Sequence, residues 1–163
     1  MNLNRIFILA RYLSQTLLFI VFSLPVLAEN TFIALSFHDC KELDSESFID
    51  TITKDKIEKQ FQWLKENGYH PISIDDLLAA QKGQKNLPPK AVLLTFDDGY
   101  KSFYRIIYPL LKAYQFPAVL AIVGKWIETK PTEKVLYGNK QVPRDNFLSW
   151  EEIKEVSESG LVE

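Results

Sequence analysis

Ala91-Val92-Leu93-Leu94-Thr95-Phe96-Asp97-Asp98-Gly99 is the stretch that decides the fold. Its first six residues are apolar except for Thr95 and show no alternation. That pattern marks a strand covered on both faces, as in a parallel sheet flanked by helices. Asp97-Asp98-Gly99 then closes the strand at its carboxyl end, the side on which parallel α/β folds collect ligands and catalytic groups. Two adjacent carboxylates repel, so a fold that keeps both beside an apolar strand ordinarily supplies a cation or a shared proton. Gly99 lets the backbone turn sharply. The plain alternative at this position is a solvated Asp-Gly turn.

Working outward, the chain alternates strand and helix. Thr31–Phe37 is an apolar run that ends at His38-Asp39. In a parallel sheet this end faces the same side as Asp97-Asp98, so a titratable imidazole suited to acid–base work comes near two carboxylates. Lys54–Asn67 carries Ile57, Phe61 and Leu64 at helical spacing, with Gly68 placed to end it. Tyr69–Ile72 is a short extended piece, and His70 at its start belongs to the opposite side of the sheet. Ser73 caps a helix whose first turn holds Asp75-Asp76, so this second acidic pair serves free N–H groups and the helix dipole. Asn86–Lys90 is a loop. Residues 101–115 are helical, with Pro109 a kink or a restart. Ala118–Val123 is a further apolar strand, and 128–147 is irregular apart from a possible hairpin turn at Gly138-Asn139. Ser149-Trp150-Glu151-Glu152 opens a last helix that ends near Gly160, and Leu161-Val162 starts another strand. The aromatics Trp63, Tyr100, Phe103, Tyr104, Trp126 and Trp150 are expected mostly in the core, with one or two free to line a sugar site.

Composition bounds the rest. At 163 residues, 47% hydrophobic and 13% aromatic, the chain holds a real core and is not disordered. A net charge of −2 gives no basic excess for nucleic acid. One cysteine, Cys40, excludes an internal disulfide and reads as a buried small hydrophobe. Arg5 and Arg11 precede an apolar run from Leu17 to Leu27, and Pro25-Val26-Leu27-Ala28 fits a signal-peptide end. Residues 1–28 are therefore expected to be a removed secretory leader. The alternative, a membrane anchor, needs about 20 apolar residues, and Ser14-Gln15-Thr16 shorten the run. The chain is also short for a complete β/α barrel, which takes about 250 residues.

Leu94-Thr95-Phe96-Asp97-Asp98-Gly99-Tyr100 resembles the first motif of the NodB-type polysaccharide deacetylases. Phe37-His38-Asp39, Ser102-Phe103-Tyr104, Phe116-Pro117-Ala118-Val119, Val123-Gly124-Lys125-Trp126 and Leu148-Ser149-Trp150 resemble the branch acting on biofilm poly-β-1,6-N-acetylglucosamine. The resemblance implies an α/β fold, the incomplete first half of a distorted β/α barrel. Residues 29–163 would be the N-terminal part of the domain, truncated before its metal-binding histidines. By position, Asp97 would be the general base acting on a metal-bound water, Asp98 a metal ligand and His38 the general acid. The implied cofactor is a divalent metal, zinc with nickel, cobalt or iron as alternatives. The family pairs one Asp with two His of a later motif. Here only His38 and His70 occur, so this chain by itself is not expected to retain the metal. The implied partners are an N-acetylglucosamine polysaccharide and exopolysaccharide export machinery. The implied location is the periplasm, cell envelope or exterior, with no membrane span once the leader is removed. The alternatives are an inactive fragment that at most binds glycans, and a deacetylase of chitin-like or peptidoglycan chains.

Overall fold

The computed structural model describes residues 30–42 and 51–163; the leader expected at 1–28 lies outside them. β5 (Ala91–Phe96) is the central strand, and the strand residues read as buried are buried except for the half-covered Thr95. β1 (Phe32–Phe37) runs parallel along one whole edge of it, pairing Phe32 with Ala91 through Phe37 with Phe96. The other edge is shared. β4 (His70–Pro71) lies beside Ala91-Val92, and β6 (Val119–Leu120) lies beside Thr95-Phe96, both parallel. Carbonyls of Lys90, Val92 and Phe96 accept from His70, Ile72 and Ala121. All three are even-numbered residues, as one edge of an extended strand requires. Leu161–Glu163 continues the sheet past β6, with Ala118 N–H donating to Leu161 and Leu120 N–H to Glu163. The sheet is open.

α1 (Lys54–Glu66) buries Ile57, Phe61 and Leu64, the three residues its periodicity singles out, and Gly68 leaves it at φ +69°. α2 (Ile74–Gln81) begins with a reciprocal capping box between Ser73 and Asp76. Lys85 also donates to the Asp76 carboxylate, and that bond holds the carboxyl below its ordinary value. The second acidic pair is thus structural, as expected. The helix expected over 101–115 is unbroken from 101 to 114, so Pro109 does not restart it. The backbone widens to π geometry over Phe103–Ile107 just ahead of Pro109, and α3 (Tyr108–Tyr114) continues directly from it. α5 (Trp150–Glu158) has the second capping box, Ser149 with Glu152.

Three further expectations need correction. The strand read as Ala118–Val123 is regular only at Val119–Leu120, because the chain turns at Val123 into α4 (Gly124–Glu128). The region 128–147 carries the hairpin turn expected at Gly138-Asn139, but its flanks are not irregular: they form an antiparallel hairpin, β7 (Lys134–Tyr137) and β8 (Lys140–Pro143). Finally, Trp63 and Trp150 are not core residues; each is about half exposed. Cys40 is buried, and burial chiefly pushes its thiol up to about 12.

The larger of two apolar clusters among the described residues joins α1, β5, the π segment and α5, with Phe61, Phe96, Phe103, Phe147 and Leu148 fully enclosed, and the smaller gathers Ile72, Ala80, Leu87 and Ala91. Fully burying one such large side chain contributes roughly 1.5–3 kcal/mol. Among the described residues no helix is long and apolar enough to cross a membrane.

Candidate active site

The in-register pairing of β1 with β5 ends at Phe37 and Phe96, so the next residues, His38 and Asp97, emerge side by side. The peptide link persists one step further, Asp97 N–H donating to Phe37 carbonyl at 2.8 Å. His38 Nε2 lies 3.9 Å from Asp97 Oδ2, and the two side chains are 37% and 35% exposed. Both therefore reach solvent while standing on the rigid ends of neighbouring strands. The same Asp97 oxygen accepts a 2.8 Å hydrogen bond from Ser36 Oγ.

Asp98 follows with φ +72° and Gly99 with φ +69°. A short polar side chain tolerates the left-handed region better than most, which suits an aspartate here. At Gly99 a Cβ would come within 3.1 Å of Ile122 Cγ2, so the second position needs glycine on two grounds. These two residues swing the chain away from the strand and give the adjacent carboxylates different partners. Asp98 Oδ2 accepts from the hydroxyl of Tyr137, at 3.2 Å. That hydroxyl is bonded in turn to Tyr100, whose phenol is pushed far above its ordinary value, mainly by burial and then by this bond. Trp126 packs on both Tyr137 and Phe147, fixing the hairpin against the site.

Asp39, beside His38, is turned inward to hold structure. Its Oδ1 accepts from Ser102 Oγ at 2.7 Å and from Cys40 N–H at 2.8 Å. A cleft of about 310 Å³ opens next to His38, lined in part by Ser36, Thr51 and Lys56. A second, of about 270 Å³, opens beside Asp39, Tyr100 and Asn146. His70 sits at the amino end of β5, opposite Ala91, remote from this edge as expected.

Of the three expected site residues, His38 and Asp97 are thus adjacent, and Asp98 sits on the loop that follows, held by Tyr137. Sequence reasoning missed Ser36 and Tyr137. Ser36 had a signal, being the sole polar residue of β1. Tyr137 had none, since its reach depends on how the hairpin docks. Among the described residues no group of three or more His, Cys, Asp or Glu side chains converges to hold a metal ion. A zinc-like ion takes three or four protein donors. The described residues by themselves do not make up such a donor set.

Comparison with known proteins bears on the family and the fold. Residues 84–163 match the polysaccharide deacetylase family. The poly-β-1,6-N-acetyl-D-glucosamine N-deacetylase of Escherichia coli K12 is 43% identical over 134 residues, covering 82% of this chain and 20% of that protein. A de-N-acetylase from Aggregatibacter actinomycetemcomitans superposes with TM-score 0.77 at 39% identity, over 81% of this chain and 52% of its own. The BpsB deacetylase domain of Bordetella bronchiseptica gives 0.68 at 37%, with the same coverage. The chain thus spans about half of these solved structures and a fifth of the E. coli protein. A parallel sheet ending in His38 and Asp97-Asp98, and these likenesses, lead to one conclusion: the chain belongs to the polysaccharide deacetylases and carries part of a NodB-type domain.

Proposed function

We propose that this chain supplies the acid–base part of a site that removes N-acetyl groups from poly-β-1,6-N-acetylglucosamine. The observation that carries the reading is the meeting of His38 and Asp97, 3.9 Å apart, at the ends of two paired parallel strands. The substrate class comes from the E. coli relative. In this reading Asp97 takes a proton from water as its oxygen attacks the acetamide carbonyl. Protonated His38 then gives a proton to the amine nitrogen as the C–N bond breaks, leaving acetate and a free glucosamine amine. Ser36 fixes the Asp97 carboxylate from one side so that its orientation is set before substrate arrives. Asp98, restrained by Tyr137, is assigned as the ligand for the divalent metal that the family resemblance implies, zinc first, with the remaining donors supplied from outside the described residues. Export through the leader at 1–28, with action in the periplasm or cell envelope beside exopolysaccharide machinery, completes the proposal.

The test is a chimera in which this chain's matching residues replace their counterparts in the E. coli deacetylase. It should release acetate from a β-1,6-linked N-acetylglucosamine oligomer, and His38→Ala should lower the rate by about a hundredfold or more. A His38→Ala chimera with undiminished rate would refute the assignment. Faster release from a β-1,4-linked oligomer would move the substrate to chitin-like chains. The shortfall of metal donors favours one second reading for the chain alone, a glycan-binding module without turnover. Binding of the oligomer with no acetate released by the isolated chain distinguishes it.

A further inference from the structure

His38 stands alone between two strands that belong to different sheets. β1 ends at Phe37 in the main sheet, and β2 (Asp39–Lys41) pairs with β3 (Thr51–Thr53) in a separate two-stranded one. Strand pairing fixes the chain as it enters His38, its last link being the 2.8 Å bond from Asp97 N–H to Phe37 carbonyl. A knot of Asp39, Cys40 and Ser102 fixes the chain as it leaves. Asp39 Oδ1 accepts from Ser102 Oγ at 2.7 Å and from Cys40 N–H at 2.8 Å, and Cys40 N–H is shared with Ser102 Oγ at 3.1 Å.

Both ends of the knot are anchored. Cys40 is buried in the core. Ser102 immediately precedes Phe103, the first residue of the π segment, which is fully enclosed and packs edge-on against Phe96 at 5.1 Å. Phe96 is itself the last residue of β5, directly before Asp97. The chain leaving Asp97-Asp98 therefore comes back, through Ser102, to grip the residue that follows His38. His38 and Asp97 are closed in on both sides, by the Phe37–Asp97 bond before them and the Asp39–Ser102 bond after them. An imidazole with 37% of its surface in solvent has little packing to orient it, so its placement comes chiefly from its backbone. We propose that Asp39 and Ser102 are positioning residues, which keep the His38 imidazole facing the Asp97 carboxylate and take no part in proton transfer themselves. This role deepens the proposed function and rests on its reading of His38 as the acid.

Kinetics of the E. coli chimera and NMR of this chain test the role together. In the chimera Asp39→Ala should lower kcat about tenfold or more with KM changed little, since a misplacement of about 1 Å costs up to about a hundredfold. Asp39→Asn keeps the accepting oxygen and should hold kcat within about threefold of the parent. In a chimera that already carries His38→Ala, Asp39→Ala should lower kcat by less than about twofold more, because the group it places is gone. An equal loss in the two backgrounds overturns the proposal, since Asp39 then acts elsewhere than through His38. So does an Asp39→Asn chimera as slow as Asp39→Ala, which makes the charge itself the working feature. The chain has two histidines, so the ring resonance of His38 is assigned by comparison with His70→Gln. That resonance should lose most of its displacement from the unfolded-state position in Asp39→Ala and keep it in Asp39→Asn, with His70 unmoved in both. Ser102→Ala, which leaves the bond between Asp39 and Cys40 N–H, carries the same comparisons should Asp39→Ala displace His70 as well by unfolding the chain. A His38 resonance that stays in place in these alanine variants overturns the proposal. The NMR readout needs no turnover. If His38→Ala leaves acetate release undiminished while Asp39→Ala still moves the His38 ring, the acid assignment fails and the placement of the ring by Asp39 stands.

Discussion

Arg144 is buried, and its guanidinium is spent entirely on main-chain carbonyls. Nε and Nη2 donate to Ile127 at 3.1 and 2.7 Å, Nη1 to Phe147 at 3.0 Å, and Nη2 again to Leu148 at 2.7 Å. Ile127 belongs to α4, while Phe147 and Leu148 lead into α5, so one side chain joins two elements. Leu148 N–H donates to Gly99 carbonyl at 2.8 Å and Phe147 bridges Tyr100, which places this clasp directly beneath the Asp98-Gly99 loop. Bonds from a charged donor contribute about 1.5–3 kcal/mol each. Desolvating the guanidinium costs several kcal/mol in the opposite sense. Arg144→Met keeps the length and apolar stem but strands three carbonyls, two of them on fully buried residues. The net loss should be about 3 kcal/mol. With a urea slope of about 2 kcal/mol per molar, that moves the unfolding midpoint down by about 1.5 M. Arg144→Lys should recover little, because a single ammonium does not span the fork. The assay is urea unfolding followed by tryptophan fluorescence and circular dichroism. A midpoint change in Arg144→Met worth less than about 0.5 kcal/mol would show that the clasp does not carry this load.

The remaining predictions concern local chemistry. Cys40, its thiol pushed up to about 12 by burial, should react with an aromatic disulfide at pH 8 at least about a hundredfold more slowly in the native chain than in urea. Since the folded state raises this pKa above the ordinary 9.0, the thiol's contribution to stability is full below pH 9. It is lost as pH rises towards about 12, which urea midpoints across that window will show. Gly99→Ala should cost about 2 kcal/mol, from left-handed strain and the contact with Ile122. Gly68→Ala, with the same φ of +69° but open space, should cost less, and the difference in urea midpoint isolates the contact. Ser149→Ala removes one half of the capping box on α5 and should cost about 1 kcal/mol in the same assay.

Much of this was legible from the chain. The unalternated run at Ala91–Phe96 fixed the centre of the sheet, and parallel pairing brought His38 to Asp97 because both directly follow strand ends in register. Helix starts were readable because Ser73 and Ser149 satisfy their own first-turn amides, a local interaction with a local signature. What escaped was non-local. Tyr137 reaches Asp98 only through a hairpin whose docking depends on Trp126, and nothing in the spacing of residues 134–143 encodes that. Arg144 reads as an ordinary surface arginine until its three carbonyls are seen. An apolar run states what a strand would bury, not whether a neighbour is there to bury it. That is why β1 has the composition of a covered strand and the exposure of an edge.

In the proposed mechanism Asp97 does chemistry at this edge and does not merely hold it together. The most direct test is the steady-state rate of acetate release from a β-1,6-linked N-acetylglucosamine oligomer by the chimera, with and without Asp97→Asn. The expected result is a kcat lower by about a hundredfold or more, with KM changed little. An Asp97→Asn chimera that keeps kcat, or that loses only KM, contradicts it.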